Sequence, residues 1–188
     1  MEKQLSAHQF KEIYDQLDIN INDLGCVMLD LASITLADKA DYNFYTSPDK
    51  SKFWMKGWVA SETPHVTLLY GLLSPAADIR EQVRTVLKGW KISEVFIEDI
   101  DFFDSPYEDE PYYCIIAKIR PDANLIEGHQ RLEFLPHINT FAGYVPHFTL
   151  AYLEKDEAQR DKLIEELKQM LKGKSLKVKP KLNLGSSK

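Results

Sequence analysis

The chain has 188 residues, enough for one compact domain with a sizeable core, and its 44% hydrophobic and 28% charged residues exclude fibrous and disordered classes. A formal net charge of −6 repels a long polyphosphate, which argues against a long nucleic acid as partner but leaves a small anion held by local groups. No segment approaches the roughly 18 apolar residues of a membrane span, and the first twenty residues have no apolar core of signal-peptide length, so the expectation is a cytosolic protein with no membrane partner.

Ser6 followed by Gln9 resembles a capping box, and Phe10, Ile13, Tyr14 and Leu17 recur at helical spacing, which predicts an N-terminal helix. The run GCVMLDL from Gly25 to Leu31 predicts a central strand. From Asp38 to Thr63 the pattern breaks up into a loop with a turn-like Ser47-Pro48-Asp49 and a basic aromatic patch, KSKFWMKGW, from Lys50 to Trp58. A strand, PHVTLLY, follows from Pro64 to Tyr70. Ser74-Pro75 then predicts the start of a helix whose buried face is Ile79, Val83, Val86 and Leu87.

Lys91 to Phe103 predicts a further strand, and the acidic run from Asp101 to Glu110 a solvated connector between two halves. Tyr112–Ile119 returns to strand character, Ala123 to Leu135 to a helix, and Pro146 to Tyr152 reads PHFTLAY. A helix from about Asp156 to Leu171, with Leu163, Ile164, Leu167 and Leu171 on one face, precedes a strand from Ser175 to Leu184. Cys26 and Cys114 both fall in apolar runs and read as buried free thiols, too few for a disulfide framework or a zinc site.

The order strand, PH-motif strand, helix, strand occurs twice. It implies one α+β domain over residues 1–188 with two related halves, about 20–104 and 105–184. Three strands per half predict two small, mostly antiparallel sheets related by a pseudo-twofold, helices outside and a cleft between them.

In a regular strand His65, Thr67 and Leu69 share one face, opposite Val66, Leu68 and Tyr70, and the second copy sorts His147, Thr149 and Ala151 against Phe148, Leu150 and Tyr152. An imidazole and a hydroxyl then stand about 7 Å apart on the cleft face of each strand. Two imidazoles flanking a phosphodiester can divide the proton transfers, one accepting from the nucleophile and one donating to the leaving oxygen. The hydroxyls would donate to the non-bridging oxygens. This scheme uses no metal and no cofactor. A histidine and a threonine that merely end a strand are the alternative for one copy alone; two copies in matching contexts favour the catalytic reading.

His65-Val66-Thr67-Leu68 and His147-Phe148-Thr149-Leu150 resemble the paired H-x-T/S-x signatures of the two-histidine (2H) phosphoesterase superfamily, which includes RNA 2′,3′-cyclic phosphodiesterases and 2′-5′ RNA ligase-like proteins. The resemblance spans roughly Gly25 to Leu184. It implies that His65 and His147 are the acid and base and that Thr67 and Thr149 bind phosphate. VMLDL from Val27 to Leu31 and ETPHVTLLYGLL from Glu62 to Leu73 further resemble the phage anti-CBASS branch, whose members cleave cyclic di- and oligonucleotide messengers. That likeness implies a phosphodiesterase acting on a small cyclic nucleotide or oligonucleotide, in a host cytosol.

Around the motifs, Trp54, Lys56 and Trp58, with Lys50, Lys52 and Phe53, read either as a loop that holds phosphate and stacks on bases or as a solvated loop anchored by its tryptophans. Tyr144 and Phe141, in the loop entering the second motif, could stack on a base or simply pack. Tyr70 and Tyr152 read as structural, since strand parity turns them away from the cleft unless a bulge intervenes. His8, His129 and His137 have no repeated context, and no Cys/His or carboxylate spacing predicts a metal site.

Overall fold

In the computed structural model, residues 24–32, 34, 42–45, 64–105, 110–139 and 143–186 are described. The N-terminal helix expected from Ser6 onward and the basic aromatic patch from Lys50 to Trp58 lie outside them. Among the described residues nine elements follow one another: β1 (Gly25–Leu31), β2 (His65–Leu72), α1 (Arg80–Val86), β3 (Glu94–Asp104), β4 (Tyr112–Ile119), α2 (Ala123–Leu132), β5 (His147–Glu154), α3 (Glu157–Leu171) and β6 (Ser175–Ser186). Among the described residues no helix is long and apolar enough to cross a membrane.

The fold is α+β, and its six strands form one open antiparallel sheet in the order β2-β1-β6-β3-β4-β5. The sequence predicts two separate sheets. They are joined because β6 pairs with β1 through Val178–Ser186 and with β3 through Ser175–Lys177, so one long strand serves both halves. The order reads the same when β1, β2 and β3 are exchanged with β4, β5 and β6. Each half therefore lends its last strand to the other.

Alternation buries Val27, Leu29 and Leu31 of β1 and Ile115, Ala117 and Ile119 of β4 on one face of the sheet. The helices cover that face: α2 lies on β2, and α3 lies on β3 and β4 through Leu163, Leu167 and Leu171. The two longer helices open as their sequences predict, with the Asp122 carboxylate accepting from the Leu125 N–H at 2.8 Å and Asp156 from Gln159 at 3.0 Å. By contrast, α1 starts at Arg80 rather than at Pro75. The chain there is pressed onto β1, since a Cβ at Gly25 would lie 2.3 Å from the Ser74 oxygen and 2.6 Å from the Ala76 nitrogen. Only after a turn closed by the Asp78 N–H on the Pro75 carbonyl does the helix begin.

The acidic connector is also shorter than its charge suggests. Asp101 to Asp104 extend β3, where Asp104 pairs with Tyr113 of β4. Both edges of the sheet are shielded. Residues 136–138 bond to the outer side of β2 through Leu73 N–H to the Pro136 carbonyl and Ile138 N–H to Gly71, and residues 43–45 do the same for β5 through Tyr45 to Tyr152 and Glu154 to Asn43. Gly71 permits this approach: its φ is +97°, and a Cβ there would sit 2.3 Å from the Ile138 oxygen.

Candidate active site

The two H-x-T motifs open β2 and β5, the two ends of the strand order, and the sheet curves enough for these strands to pack against each other. Each is entered in the same way. The Leu31 N–H donates to the Pro64 carbonyl at 2.7 Å, and the Ile119 N–H donates to Pro146 at 2.8 Å. His65, Thr67, His147 and Thr149 are all partly exposed, while Val66, Leu68, Phe148 and Leu150 are buried in the core. The four motif side chains thus stand on the face of the sheet that the helices do not cover.

The imidazole of His147 is fixed by its Nδ1, 2.7 Å from the Val145 carbonyl. A carbonyl has no proton to give, so Nδ1–H is the donor and Nε2 carries the lone pair of the neutral ring. Burial lowers the pKa of His147, the Val145 hydrogen bond partly opposes this, and the charge of nearby His65 lowers it further. His65 is therefore close enough to be felt electrostatically. In the ladder Asp30 stands opposite His65 and Lys118 opposite His147, so the two imidazoles have cross-strand neighbours of opposite charge. Asp30 accepts from Asn183 Nδ2 of β6 at 2.9 Å, and Lys118 lies 3.7 Å from Asp101 of β3.

A bulge interrupts each motif strand at the same place. In β2 the register passes from Thr67 opposite Met28 to Leu69 opposite Val27, leaving Leu68 as the extra residue; in β5 it passes from Thr149 opposite Ile116 to Ala151 opposite Ile115, leaving Leu150. Leu68 and Leu69 both enter the core, as do Leu150 and Ala151. The bulge reverses the parity beyond it, so Tyr70 and Tyr152 come to the face of the threonines, opposite Cys26 and Cys114. This corrects the placement of both tyrosines, and of Leu69 and Ala151, by strict alternation. Cys26 and Cys114 are free, as the sequence predicts, but only Cys26 is buried while Cys114 is partly exposed; they occupy the same relative position in the two halves.

Tyr144 reaches the other half. Its hydroxyl donates to the Thr67 carbonyl at 3.0 Å, and its ring stacks on His129 at 3.9 Å with a 5° interplanar angle. His129 in turn places Nδ1 2.6 Å from the carbonyl of Leu68, the bulged residue. Two carbonyls of β2 that a bulge takes out of register are thus satisfied from the second half. Trp54, Lys56 and Trp58 lie outside the described residues. Phe103 of β3 was not singled out in the sequence, where it sits in an acidic run; it is 42% exposed and meets His147 edge to face at 5.0 Å. Among the described residues no three His, Cys, Asp or Glu side chains form a group that could hold a metal ion.

A search of curated proteins finds no match for the chain. A family model described as the 2′-5′ RNA ligase superfamily matches residues 48–184, a segment that contains both motif strands, α1, α2, α3, β3 and most of β6. The chain, with its two H-x-T strands and their histidines on one sheet face, belongs to the 2′-5′ RNA ligase superfamily of two-histidine phosphoesterases.

Proposed function

We propose that the protein is a metal-independent phosphodiesterase that cleaves 3′-5′ bonds in cyclic di- and oligonucleotide messengers, in a cleft between pseudo-twofold halves, and so blunts CBASS-type antiviral immunity. The observation that carries this reading is the pairing of His65 and His147 on packed strands, with His147 held neutral and its Nε2 available. His147 accepts the proton of the attacking hydroxyl or water. His65 then donates to the leaving oxygen, and the Thr67 and Thr149 hydroxyls donate to the non-bridging oxygens as charge builds on them. Phe103 beside His147 offers an aromatic face to a base, and the net charge of −6 favours a small anion over a long RNA.

The test is incubation, in chelator, with cyclic dinucleotides, cyclic trinucleotides, 2′-5′ oligoadenylates and RNA bearing 2′,3′-cyclic phosphate ends, with products resolved by chromatography. Cleavage of the cyclic di- or trinucleotides is expected. Turnover confined to the RNA ends or the 2′-5′ linkage would replace the substrate class, and tight binding without product would make the protein a nucleotide-binding module.

A further inference from the structure

The strand register carries one row of the open sheet face from β5 to β3: Thr149 stands opposite Ile116, and Ile116 opposite Asp101. Opposite residues of an antiparallel pair share a face, so Asp101 belongs with the motif side chains. So does Lys118, which stands opposite His147. Lys118 Nζ lies 3.7 Å from Asp101 Oδ2, so its ammonium is drawn along that face toward the row of Thr149. Phe103, two residues beyond Asp101, meets the His147 ring at 5.0 Å although β4 runs between their strands. The face is therefore concave here and turns β3 toward the histidine.

The ion pair is a loose one. At 3.7 Å it is longer than a hydrogen bond, and its two side chains are 36% and 52% exposed, a setting in which such pairs contribute little. Asp101 Oδ1 also accepts from the Phe102 N–H at 2.9 Å, so the carboxylate keeps a partner when the lysine leaves. A phosphate oxygen offers the ammonium a shorter, charge-assisted bond. The first half is built differently at the equivalent positions: Asp30 stands opposite His65 and accepts from Asn183 Nδ2 at 2.9 Å. A carboxylate there repels an anion, whereas the ammonium beside His147 attracts one. On the proposed mechanism the scissile phosphate lies between His65 and His147, where β2 packs against β5; Lys118 and Asp101 lie beyond His147, on the β4 and β3 side.

We propose that Lys118 is a specificity-determining residue: it leaves Asp101 to hold a second phosphate of the substrate, next to the scissile one on the His147 side. This rests on the reading of the motif face as a phosphodiesterase site and narrows its substrates to those with two or more phosphates.

The experiment compares wild type with Lys118→Gln, Lys118→Arg and Asp101→Asn. Binding of adenosine 3′,5′-bisphosphate and of adenosine 3′-monophosphate is measured by calorimetry, and turnover of cyclic di-AMP and of 2′,3′-cyclic AMP by chromatography. Lys118→Gln is expected to raise the Kd of the bisphosphate and the KM of cyclic di-AMP about tenfold, with kcat, the monophosphate and the cyclic mononucleotide nearly unaffected. Lys118→Arg keeps the charge and should retain most of the affinity. Asp101→Asn removes the competing carboxylate and should tighten the bisphosphate alone. Equal losses on the bisphosphate and the monophosphate, a fall in kcat shared by both substrates, or no change in Lys118→Gln would overturn the proposal. So would a wild type that binds the bisphosphate no more tightly than the monophosphate. If the wild type turns over neither nucleotide, the functional reading fails while the ratio of the two Kd values still decides the role of Lys118. If Lys118→Gln does not fold, Asp101→Asn decides: tighter binding of the bisphosphate alone supports the exchange, and unchanged or weaker binding overturns it.

Discussion

In the proposed mechanism, His147 carries the part of the chemistry that pH can expose. Its pKa is depressed by burial and by His65, so the neutral base persists to lower pH, and the acid limb of kcat/KM is expected below the ordinary imidazole value of about 6.5. The two limbs of the profile belong to the coupled pair. The same depression has a sign for folding: its contribution is complete above the unfolded value and is lost as pH falls through the lower folded value. Wild type should therefore lose more stability than His147→Gln between pH 7 and pH 5, measured by urea denaturation; equal losses would remove burial as the cause. His65→Ala and His147→Ala should each lower kcat by about 10²- to 10⁴-fold with the fold retained. Thr67→Ala and Thr149→Ala, which on the proposed mechanism remove one donor to the phosphate each, should cost less. A histidine variant with near wild-type rate would sink the two-histidine mechanism. The placement of these four side chains on one sheet face was legible in the sequence because the motif occurs twice and each copy begins a strand, which makes His and Thr at alternate positions share a face.

The bulged strands show why an element can be found in the sequence while its far end is misread. β1 and β4 match their apolar runs residue for residue, and α2 and α3 begin at the aspartates that cap them. Leu68-Leu69 and Leu150-Ala151, however, are apolar at both positions, so the pattern does not say that one of each pair is an extra residue. Parity then turns Tyr70 and Tyr152 the wrong way. The partners of the bulge are equally hidden, for His129 and Tyr144 are 61 and 77 residues from the carbonyls they satisfy. Removing them tests their part in holding the first motif. His129→Ala leaves the Leu68 carbonyl without its donor and should destabilise the protein by about 1 to 3 kcal/mol, and Tyr144→Phe by about 1 kcal/mol. Denaturation midpoints equal to wild type would mean that water replaces both donors without cost.

At the scale of the whole molecule, the repeat was readable but its closure was not. Hydropathy locates six strands without saying that β6 is long enough to pair with both β1 and β3. That exchange makes the halves dependent on each other. A fragment ending at Ser105 would leave β1 without the partner that β6 supplies and would leave β3 without either neighbour, since both β4 and β6 lie in the second half. A fragment from Glu110 onward would keep β4 paired with β5 but lose β3, the strand that joins β4 to β6. Neither half then closes a sheet over its helices, and burial of the apolar face cannot offset the entropy of ordering the chain. Urea unfolding of the intact protein is accordingly expected as one transition, with coincident midpoints by tryptophan fluorescence and far-ultraviolet circular dichroism. The separate fragments should each lack a cooperative transition, and mixing them should restore one by letting β3 and β6 pair again. Two resolved transitions in the intact chain, or a fragment that unfolds cooperatively alone, would show instead that the halves are independent lobes docked across the cleft.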